Sequence, residues 1–357
     1  MSVNQAMRIL FGLPACDYSV SDVARGLRAA LVRQGHVVED YSVSKRMAYH
    51  ARAMGPDYRD QIALVSQQAS QDLLLQATYH RADLVIVVSA LIYHPIAIHA
   101  LRYHRVPLAV VHTESPYEDV AQAEWASAYP EALHCTHDRV SAERLGWAYL
   151  PHAYDPAIHR PCHEVVTPRL FGGEVATEWN NAEDQHGPDV CDVLFLGTGW
   201  PERIALLEAV DWTGIDLRLR GVWPALSESS PLRRYYHEGL VPNVDAVRYY
   251  RAARVNLNIH RAGQGAVSLN PRGYELAACG AFEISDYREE GVSLFGDSVP
   301  RFETAEELGR LVRQYLADPA SRARLAIEAR TRVRHETFDA RAEMLMTALS
   351  HRRETAA

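Results

Sequence analysis

The sequence predicts an α/β protein with two doubly wound, Rossmann-like domains. Short apolar runs alternate with amphipathic helical patterns along the chain, which is typical of parallel βαβ units. The alternation occurs twice, on either side of a polar stretch at residues 162–189 that is rich in Pro, Gly, Asn and acidic residues. The 357 residues, 48% of them apolar and 23% charged, are enough to form two ordinary cores.

The first series of elements predicts an N-terminal domain at residues 1–162. Its predicted elements are a strand at 7–13, a helix at 21–34, a helix at 57–80 and strands at 82–89 and 107–112. Gly35 is positioned to end the first helix, because glycine readily adopts the left-handed conformation found at helix C-termini. The two later strands are continuous apolar runs, as expected for strands that are covered on both faces.

The second series predicts a C-terminal domain at residues 190–335, after a linker or surface excursion at residues 163–189. Its predicted elements are strands at 190–196, 216–220, 255–259 and 281–285, and helices at 305–317 and 320–335. Strands and helices again alternate, so a second parallel sheet is expected.

The end of the chain predicts one more helix, within residues 336–357. Phe338, Met344, Leu345 and Leu349 are spaced to lie on one helical face. We expect this helix to bury that apolar face by packing back toward the N-terminal domain.

Residues 255–286 hold the most informative pattern. A predicted strand leads into a loop with Gly263 and Gly265, then into a short helix with Arg272 and Glu275, and then into a second strand. A helix N-terminus presents unpaired N–H groups and a positive dipole end to an anion. An Arg beside it can bind phosphate oxygens, and a Glu one turn further on can accept the hydroxyls of a ribose. The pattern therefore predicts a nucleotide-binding turn.

This stretch resembles the nucleotide-sugar half of GT-B glycosyltransferases, most closely the CgeB/YkvP-like branch. The signature of an Arg, two residues, a Glu and then Ala-Cys-Gly-Ala is matched by Arg272, Glu275 and residues 278–281. Three further segments resemble the same family in the same order, at residues 148–161, 192–203 and 290–338.

The resemblance implies two domains that face a central cleft, with the sugar donor bound by the C-terminal domain. It implies a glycosyltransferase that moves a sugar from a nucleoside diphosphate sugar, expected to be a UDP-sugar, to a hydroxyl acceptor. Similar enzymes usually need no metal, because cationic side chains stabilise the departing diphosphate. No grouping of His, Cys, Asp or Glu in this sequence has metal-ligand spacing, so neither a metal nor a cofactor is expected. Retention of configuration is favoured over inversion.

The candidates for binding the sugar donor are Gly197, Thr198, Gly199, Arg203, His260, Asn270, Arg272 and Glu275. We expect Arg203 and Arg272 to bind the diphosphate, together with N–H groups of the glycine loop, and Glu275 to accept ribose hydroxyls. An ion pair between Arg272 and Glu275 is the main alternative for those two side chains. His260 follows a predicted strand, at the edge where open α/β sheets bind ligands.

Glu275 and Glu283 have the Glu-x7-Glu spacing of many retaining GT-B enzymes, but this match is a coincidence. In those enzymes the second Glu precedes the Ala-Cys-Gly sequence, which corresponds to Glu275 here, and the first would fall at Val267. Glu283 lies in the following strand. The missing first Glu leaves open how the sugar hydroxyls are recognised, and it leaves inversion possible.

The acceptor side is predicted in the N-terminal domain, in the loops that follow two buried strands. The candidates are His94, His112, Glu114 and Asp119. A general base for the acceptor hydroxyl would come from these loops, with ordinary loop carboxylates as an equally weighted alternative. The acceptor class stays open between a small molecule, a glycan, a protein and a hydroxymethylated DNA base.

Composition argues against several other classes of protein. The formal net charge of −8 disfavours attachment to nucleic acid by bulk electrostatics, so nucleic acid is expected only as an acceptor substrate. No apolar stretch approaches the length of a membrane span. The five scattered cysteines suggest no disulfide framework, which favours a cytoplasmic location.

Two alternatives to a glycosyltransferase stay open. One is a non-catalytic spore-coat or surface-assembly protein of the same fold, and the presence of Arg203, Arg272 and Glu275 argues against it. The other is a nucleotide-sugar epimerase, for which the sequence offers no second pair of carboxylates.

Overall fold

The computed structural model describes residues 6–15, 19–55, 61–167, 176–180, 189–263 and 267–356. The chain divides into two compact units. The first unit comprises Met1–His152, Gly263–Ala266 and Phe338–Ala357, and the second comprises Ala153–Ala262 and Val267–Thr337. Each unit is built around its own six-stranded parallel sheet.

The first sheet has the strand order β2-β1-β3-β4-β5-β6, and all its strands are parallel. The strands are β1 (Arg8–Leu13), β2 (Val37–Ser42), β3 (Leu84–Val88), β4 (Leu108–His112), β5 (Leu133–Thr136) and β6 (Ala148–Tyr149). The helices are α1 (Ser19–Arg33), α2 (Val43–Met54), α3 (Ile62–Tyr79), α4 (Pro95–Tyr103), α5 (Asp119–Ala126) and α6 (Arg139–Leu145). β3 and β4 are buried along their whole length, as expected for strands covered by helices on both faces.

The second sheet has the strand order β11-β10-β9-β12-β13-β14. Its strands are β9 (Cys191–Leu196), β10 (Leu217–Gly221), β11 (Tyr236–Glu238), β12 (Ala253–Asn258), β13 (Glu283–Asp286) and β14 (Arg301–Phe302). The helices are α7 (Pro201–Glu208), α8 (Asn243–Ala252), α9 (Pro271–Ala278), α10 (Glu289–Phe295), α11 (Ala305–Ala317) and α12 (Pro319–Val333). Counted from β9, this is the 3-2-1-4-5-6 order of dinucleotide-binding sheets.

The predicted fold class of two doubly wound α/β domains is confirmed. The prediction missed β2, because this edge strand is mostly polar and exposed and so has no apolar run. It also missed β11, which is only three residues long. The predicted linker contains an antiparallel hairpin of β7 (His163–Thr167) and β8 (Ala176–Asn180), and its remaining residues lie largely outside the described ranges.

The last helix, α13 (Phe338–Ala356), belongs to the first unit and packs against α1. The Arg33 guanidinium donates to both carboxylate oxygens of Asp339, at 2.8 Å each. Gly26 is needed in α1, because a Cβ there would lie 2.2 Å from the Phe338 ring. None of the helices in the described ranges is long and apolar enough to cross a membrane.

Candidate functional site

The centre of the second sheet places two loops side by side. The chain winds away from β9 and β12 in opposite directions, and ligands of open α/β sheets bind beyond the carboxyl ends of such a strand pair. The loop after β9 carries Gly197, Thr198 and Gly199, and the loop after β12 begins with Ile259 and His260. The glycine loop and His260, both predicted from the sequence, therefore lie at the topological switch point.

The glycine loop serves a different purpose from the predicted one. The Gly197 N–H donates to the Arg220 carbonyl at 2.9 Å, and the Gly199 N–H donates to the Val222 carbonyl at 3.0 Å. These two N–H groups are used within the unit, which corrects the expectation that they bind the diphosphate. A Cβ at Gly199 would lie 2.4 Å from the Trp223 ring. Glycine is required here for close packing.

The Arg272 side chain lies against the glycine loop. A Cβ at Gly197 would be 2.8 Å from Arg272 Nη2, so glycine at this position leaves room for the guanidinium. Arg272 is the second residue of α9, and its Nε is buried without a hydrogen-bond partner among the described residues. The sequence thus brings a cation from the α9 N-terminus to the end of β9.

Arg203 approaches the same place from α7. Arg203 and Arg272 each hold their guanidinium carbon 5.6 Å from the centroid of the Phe195 ring. Arg203 is buried, and its Nη1 donates to the Thr198 carbonyl at 2.9 Å. Arg203 therefore stabilises the shape of the glycine loop, and Arg272 is the more accessible of the two cations.

Glu275 is held by three side chains that the sequence prediction did not name. Its Oε1 accepts from Asn243 Nδ2 at 3.1 Å, its Oε2 accepts from the Tyr250 hydroxyl at 3.5 Å, and His159 Nε2 lies 3.7 Å from Oε1. The Glu275 side chain is 10% exposed. A carboxylate has about four acceptor positions, so it can accept further hydrogen bonds at its exposed edge.

Tyr250 lies between the two motif residues. Its hydroxyl is hydrogen-bonded to the Arg272 side chain as well as to Glu275, and burial raises its pKa. The simple Arg272–Glu275 ion pair that was the alternative reading of the motif is replaced by this three-residue arrangement. Asn243, Tyr250 and His159 lie 25 or more residues from Glu275, so no local spacing pointed to them.

His260 is engaged on both sides of its ring. The backbone N–H of Asn270 donates to His260 Nε2 at 3.0 Å, so the proton is on Nδ1, which donates to Asp286 Oδ1 at 2.6 Å. Burial lowers the pKa of His260, against the effect of Asp286. The ring is therefore neutral and joins β12, β13 and the start of α9, so it positions other groups and does not contact a ligand directly.

Asn270 is the N-cap of α9. Its Oδ1 accepts from the Gly273 N–H at 3.3 Å, and its Nδ2 donates to Asn258 Oδ1 at 2.7 Å. The side chain is used within the unit, which corrects its assignment as a direct ligand. Its effect on a ligand would pass through α9 and Arg272.

Two of the four acceptor-side candidates lie in the core of the first unit. His112 is fully buried, stacked on Trp147 at 4.2 Å between ring centroids and 3.1 Å from His134. Asp119 is buried between α5 and α6, where it accepts from Ser141 Oγ at 2.6 Å and pairs with Arg144. The prediction placed both in an open loop, and packing against later elements covers them.

The other two candidates remain at the carboxyl edge of the first sheet. Glu114 follows β4 and accepts from the Ser89 and Thr113 hydroxyls, and Ser89 follows β3 with a left-handed backbone, at φ 57°. His94 caps α4, with its Nδ1 accepting from the Ile96 N–H at 3.2 Å. This bond places the His94 proton on Nε2, so the ring can donate but offers no free lone pair to act as a base.

The family comparison concerns most of the second unit and the beginning of α13. Residues 196–347 match the family described as glycosyl transferase-like, a stretch that includes the glycine loop, Arg203, Arg272 and Glu275. The predicted glycosyltransferase is confirmed at this level. No curated protein matches the sequence.

Solved structures share the fold of the whole chain. The sucrose-phosphate synthase of Thermosynechococcus elongatus is 13% identical, with a TM-score of 0.67 over 99% of this chain and 100% of that chain. The α,α-trehalose-phosphate synthase (UDP-forming) of Burkholderia vietnamiensis is also 13% identical, with a TM-score of 0.59 over 97% of this chain and 100% of that chain. At these identities the likeness concerns the fold, and it confirms the predicted GT-B class of the glycosyltransferase.

Proposed function

We propose that this glycosyltransferase moves a sugar from a UDP-sugar to a hydroxyl acceptor and binds the sugar donor at the carboxyl edge of the second sheet. The observation that carries the proposal is the Arg272 guanidinium, which lies at the topological switch point with a buried Nε that no described residue satisfies. An anion that reaches this edge meets the cation together with the N-terminus of α9. Glu275 lies one turn along the same helix, within reach of a ribose joined to that anion.

The chemistry follows from where charge develops. Cleavage of the glycosidic bond makes the anomeric carbon positive and leaves negative charge on the departing diphosphate. Arg272 stabilises that charge more in the transition state than in the bound sugar donor, which is what lowers the barrier. Arg203 and the glycine loop hold Arg272 in place through packing around Phe195.

Uridine is the nucleoside that we expect, because one structurally similar protein is described as UDP-forming. Retention of configuration remains our preference from the family resemblance. The Glu275 carboxylate would accept the ribose hydroxyls while Asn243 and Tyr250 keep it oriented.

On the acceptor side, Glu114 is the best candidate for a base. It follows β4 at the carboxyl edge of the first sheet and is half-buried. The Ser89 and Thr113 hydroxyls that donate to it could be exchanged for an acceptor hydroxyl. We propose an acceptor that carries a free hydroxyl.

Calorimetry tests the donor site. UDP, GDP, ADP, CDP and dTDP are titrated into the full chain, and we expect UDP to bind most tightly. Arg272→Ala should weaken that binding, whereas Arg254→Ala should not, because Arg254 is exposed and paired with Asp192 at the opposite end of β12. Failure of all five nucleotides to bind would remove the proposal.

A second test asks whether the transfer reaction depends on a metal ion. Among the residues that the structure describes, no group of three or more His, Cys, Asp or Glu side chains is placed to hold a metal ion. We propose that guanidinium groups stabilise the leaving diphosphate, so that transfer continues in EDTA. Loss of turnover in EDTA that Mg²⁺ or Mn²⁺ restores would contradict this part of the proposal.

The same assay separates the two alternative functions. Incubation with a UDP-sugar should release UDP when an acceptor is present. An isomerised nucleotide sugar without UDP release would indicate an epimerase. Nucleotide binding with neither product for any acceptor class would favour a non-catalytic protein.

A further inference from the structure

A buried chain of side-chain hydrogen bonds runs beneath α9 from β13 to the helix N-terminus. Glu283 Oε1 accepts from Asn258 Nδ2 at 2.8 Å, and Asn258 Oδ1 accepts from Asn270 Nδ2 at 2.7 Å. Asn270 Oδ1 then accepts from the Gly273 N–H, which caps α9. In the sequence, Arg272 lies between Asn270 and Gly273, the last two residues of this chain of hydrogen bonds.

The direction of these bonds is the same from both ends, because Glu283 Oε1 accepts from Asn258 Nδ2 at one end and the Gly273 N–H can only donate at the other. The Asn258 amide therefore presents its oxygen to Asn270. Asn270 must in turn present its NH₂ group to Asn258 and its own oxygen to the Gly273 N–H. Reversal of either amide would set two donors against each other and remove the cap from α9.

An apolar side chain would fill the buried Glu283 position at a lower cost in free energy of folding. Glu283 is 3% exposed, and its Oε2 has no hydrogen-bond partner among the described residues. Burial of a carboxyl with one unsatisfied oxygen is unfavourable. Glycine at position 273 of the helix leaves room for the Asn258 amide that binds Glu283, since a Cβ at Gly273 would lie 3.3 Å from Asn258 Nδ2.

We propose that Glu283 is a positioning residue for Arg272, acting through the orientation of Asn258 and Asn270. The proposal rests on the proposed function, in which Arg272 binds the diphosphate. Glu283 itself contacts no substrate. Its role is to fix the N-cap, and thereby the place where α9 holds its guanidinium.

The charge of Glu283 adds a second effect. Burial raises the pKa of Glu283 to about 8, against the opposing effects of the Asn258 hydrogen bond and the Arg272 charge, and Asp286 raises it further. Asp286 is itself paired with His260 and Arg288. Glu283 is therefore protonated at neutral pH. Above its pKa it becomes an anion that competes with the diphosphate for Arg272.

The test measures UDP binding by the full chain from about pH 6.5 to about pH 9.5, a range that spans the titration of Glu283. We expect the wild-type affinity to fall at alkaline pH. Glu283→Gln keeps the acceptor oxygen but has no proton to lose, so it should match wild type near neutrality and lack the alkaline fall. Glu283→Leu should bind UDP about five- to tenfold more weakly than wild type near neutrality, as for loss of one buried hydrogen bond, and should likewise lack the alkaline fall.

Ser285→Ala is the matched control, because the Ser285 hydroxyl is buried on the same strand and has no hydrogen-bond partner among the described residues. It should leave UDP binding and its pH dependence unchanged. Wild-type affinity in Glu283→Leu, or an alkaline fall that persists in Glu283→Gln, would overturn the proposal.

Hydrogen exchange at the Gly273 amide gives a readout that does not depend on nucleotide. The Asn270 cap should slow this exchange in wild type and in Glu283→Gln, and Glu283→Leu should speed it. If wild type fails to bind UDP, the proposed function falls, and the exchange rates still decide whether Glu283 fixes the cap. Equal exchange in all three proteins would refute the positioning role.

Discussion

At the carboxyl edge of the second sheet, side chains from β12, β13 and α9 hydrogen-bond to one another and leave one cation beside the glycine loop. At the same edge of the first sheet, His112 and Asp119 are covered by later elements, and only Glu114 and His94 stay near the surface. A polar residue after a parallel strand is thus insufficient to make a site. What distinguishes the second edge is a supporting network that orients the exposed group.

Glu283 in the second unit and three histidines in the first are buried titratable groups whose pKa values shift in opposite directions. In the second unit, burial raises the pKa of Glu283. In the first, burial lowers the pKa of His112, His134 and His137. All four groups are driven toward their neutral form by desolvation. The Glu283 titration is therefore expected to weaken the second unit as the pH rises, and the histidine titrations to weaken the first as the pH falls.

The largest effect is expected from Arg272→Ala. Removal of one group that stabilises transition-state charge typically lowers kcat by about 10²–10³-fold. Steady-state kinetics with a UDP-sugar measures this loss, and Arg254→Ala serves as the control for removal of a surface arginine. If Arg272→Ala turns over at the wild-type rate, the second edge is no better organised for chemistry than the first.

Glu275→Ala should weaken nucleotide binding by about 1.5 to 3 kcal/mol, the range for hydrogen bonds to a charged group. Its neighbours Asn243 and Tyr250 would keep their positions but lose their acceptor. Calorimetry with UDP measures the change, and Glu306→Ala on the exposed side of α11 is the control. Unchanged affinity would show that Glu275 serves only to hold Asn243, Tyr250 and His159 together.

The contrast between the edges also explains what could be predicted from the sequence. The strand, loop and helix that carry Arg272 and Glu275 are contiguous, so spacing and the family resemblance sufficed to select both residues as candidates. Tyr250 and His159 reach Glu275 from distant segments, and nothing local marks them. The burial of His112 depends on Trp147, which directly precedes β6, and the burial of Asp119 depends on α6, so both errors arose from tertiary packing.

Asp119→Ala should cost about 1 to 2 kcal/mol of the free energy of unfolding, a moderate figure because Arg144 is more than half exposed. Ser141 and Gln122 would lose an acceptor as well. Chemical denaturation measures this loss, and kcat per folded molecule should not change. Glu114→Ala should behave in the opposite way, with near wild-type stability and reduced turnover. The reverse pattern would place the acceptor base at Asp119.

The smallest expected effect is a difference in pH dependence at the histidine cluster of the first unit. Burial lowers the pKa of His137 from 6.5 to about 4, against the effect of its hydrogen bond to the Leu150 carbonyl. In that range the unfolded chain binds a proton that the folded chain does not, so stability present above pH 6.5 is lost as the pH falls toward the folded pKa. One such group contributes at most about 1.4 kcal/mol per pH unit.

His137→Phe separates this titration from packing, because a phenyl ring can keep the stacking on His152, whose ring centroid lies 4.0 Å away. The variant should lose less stability than wild type between about pH 6.5 and pH 5.5, by about 1 kcal/mol. Glu283→Gln should act with the opposite sign and reduce the loss of stability that wild type shows as the pH rises from about pH 5 to pH 8, where the folded protein alone keeps the Glu283 proton. Denaturation curves at each pH measure both effects. If His137→Phe and Glu283→Gln change the pH dependence of stability with the same sign, the two units do not carry opposite buried titrations, and the comparison drawn from their cores is wrong.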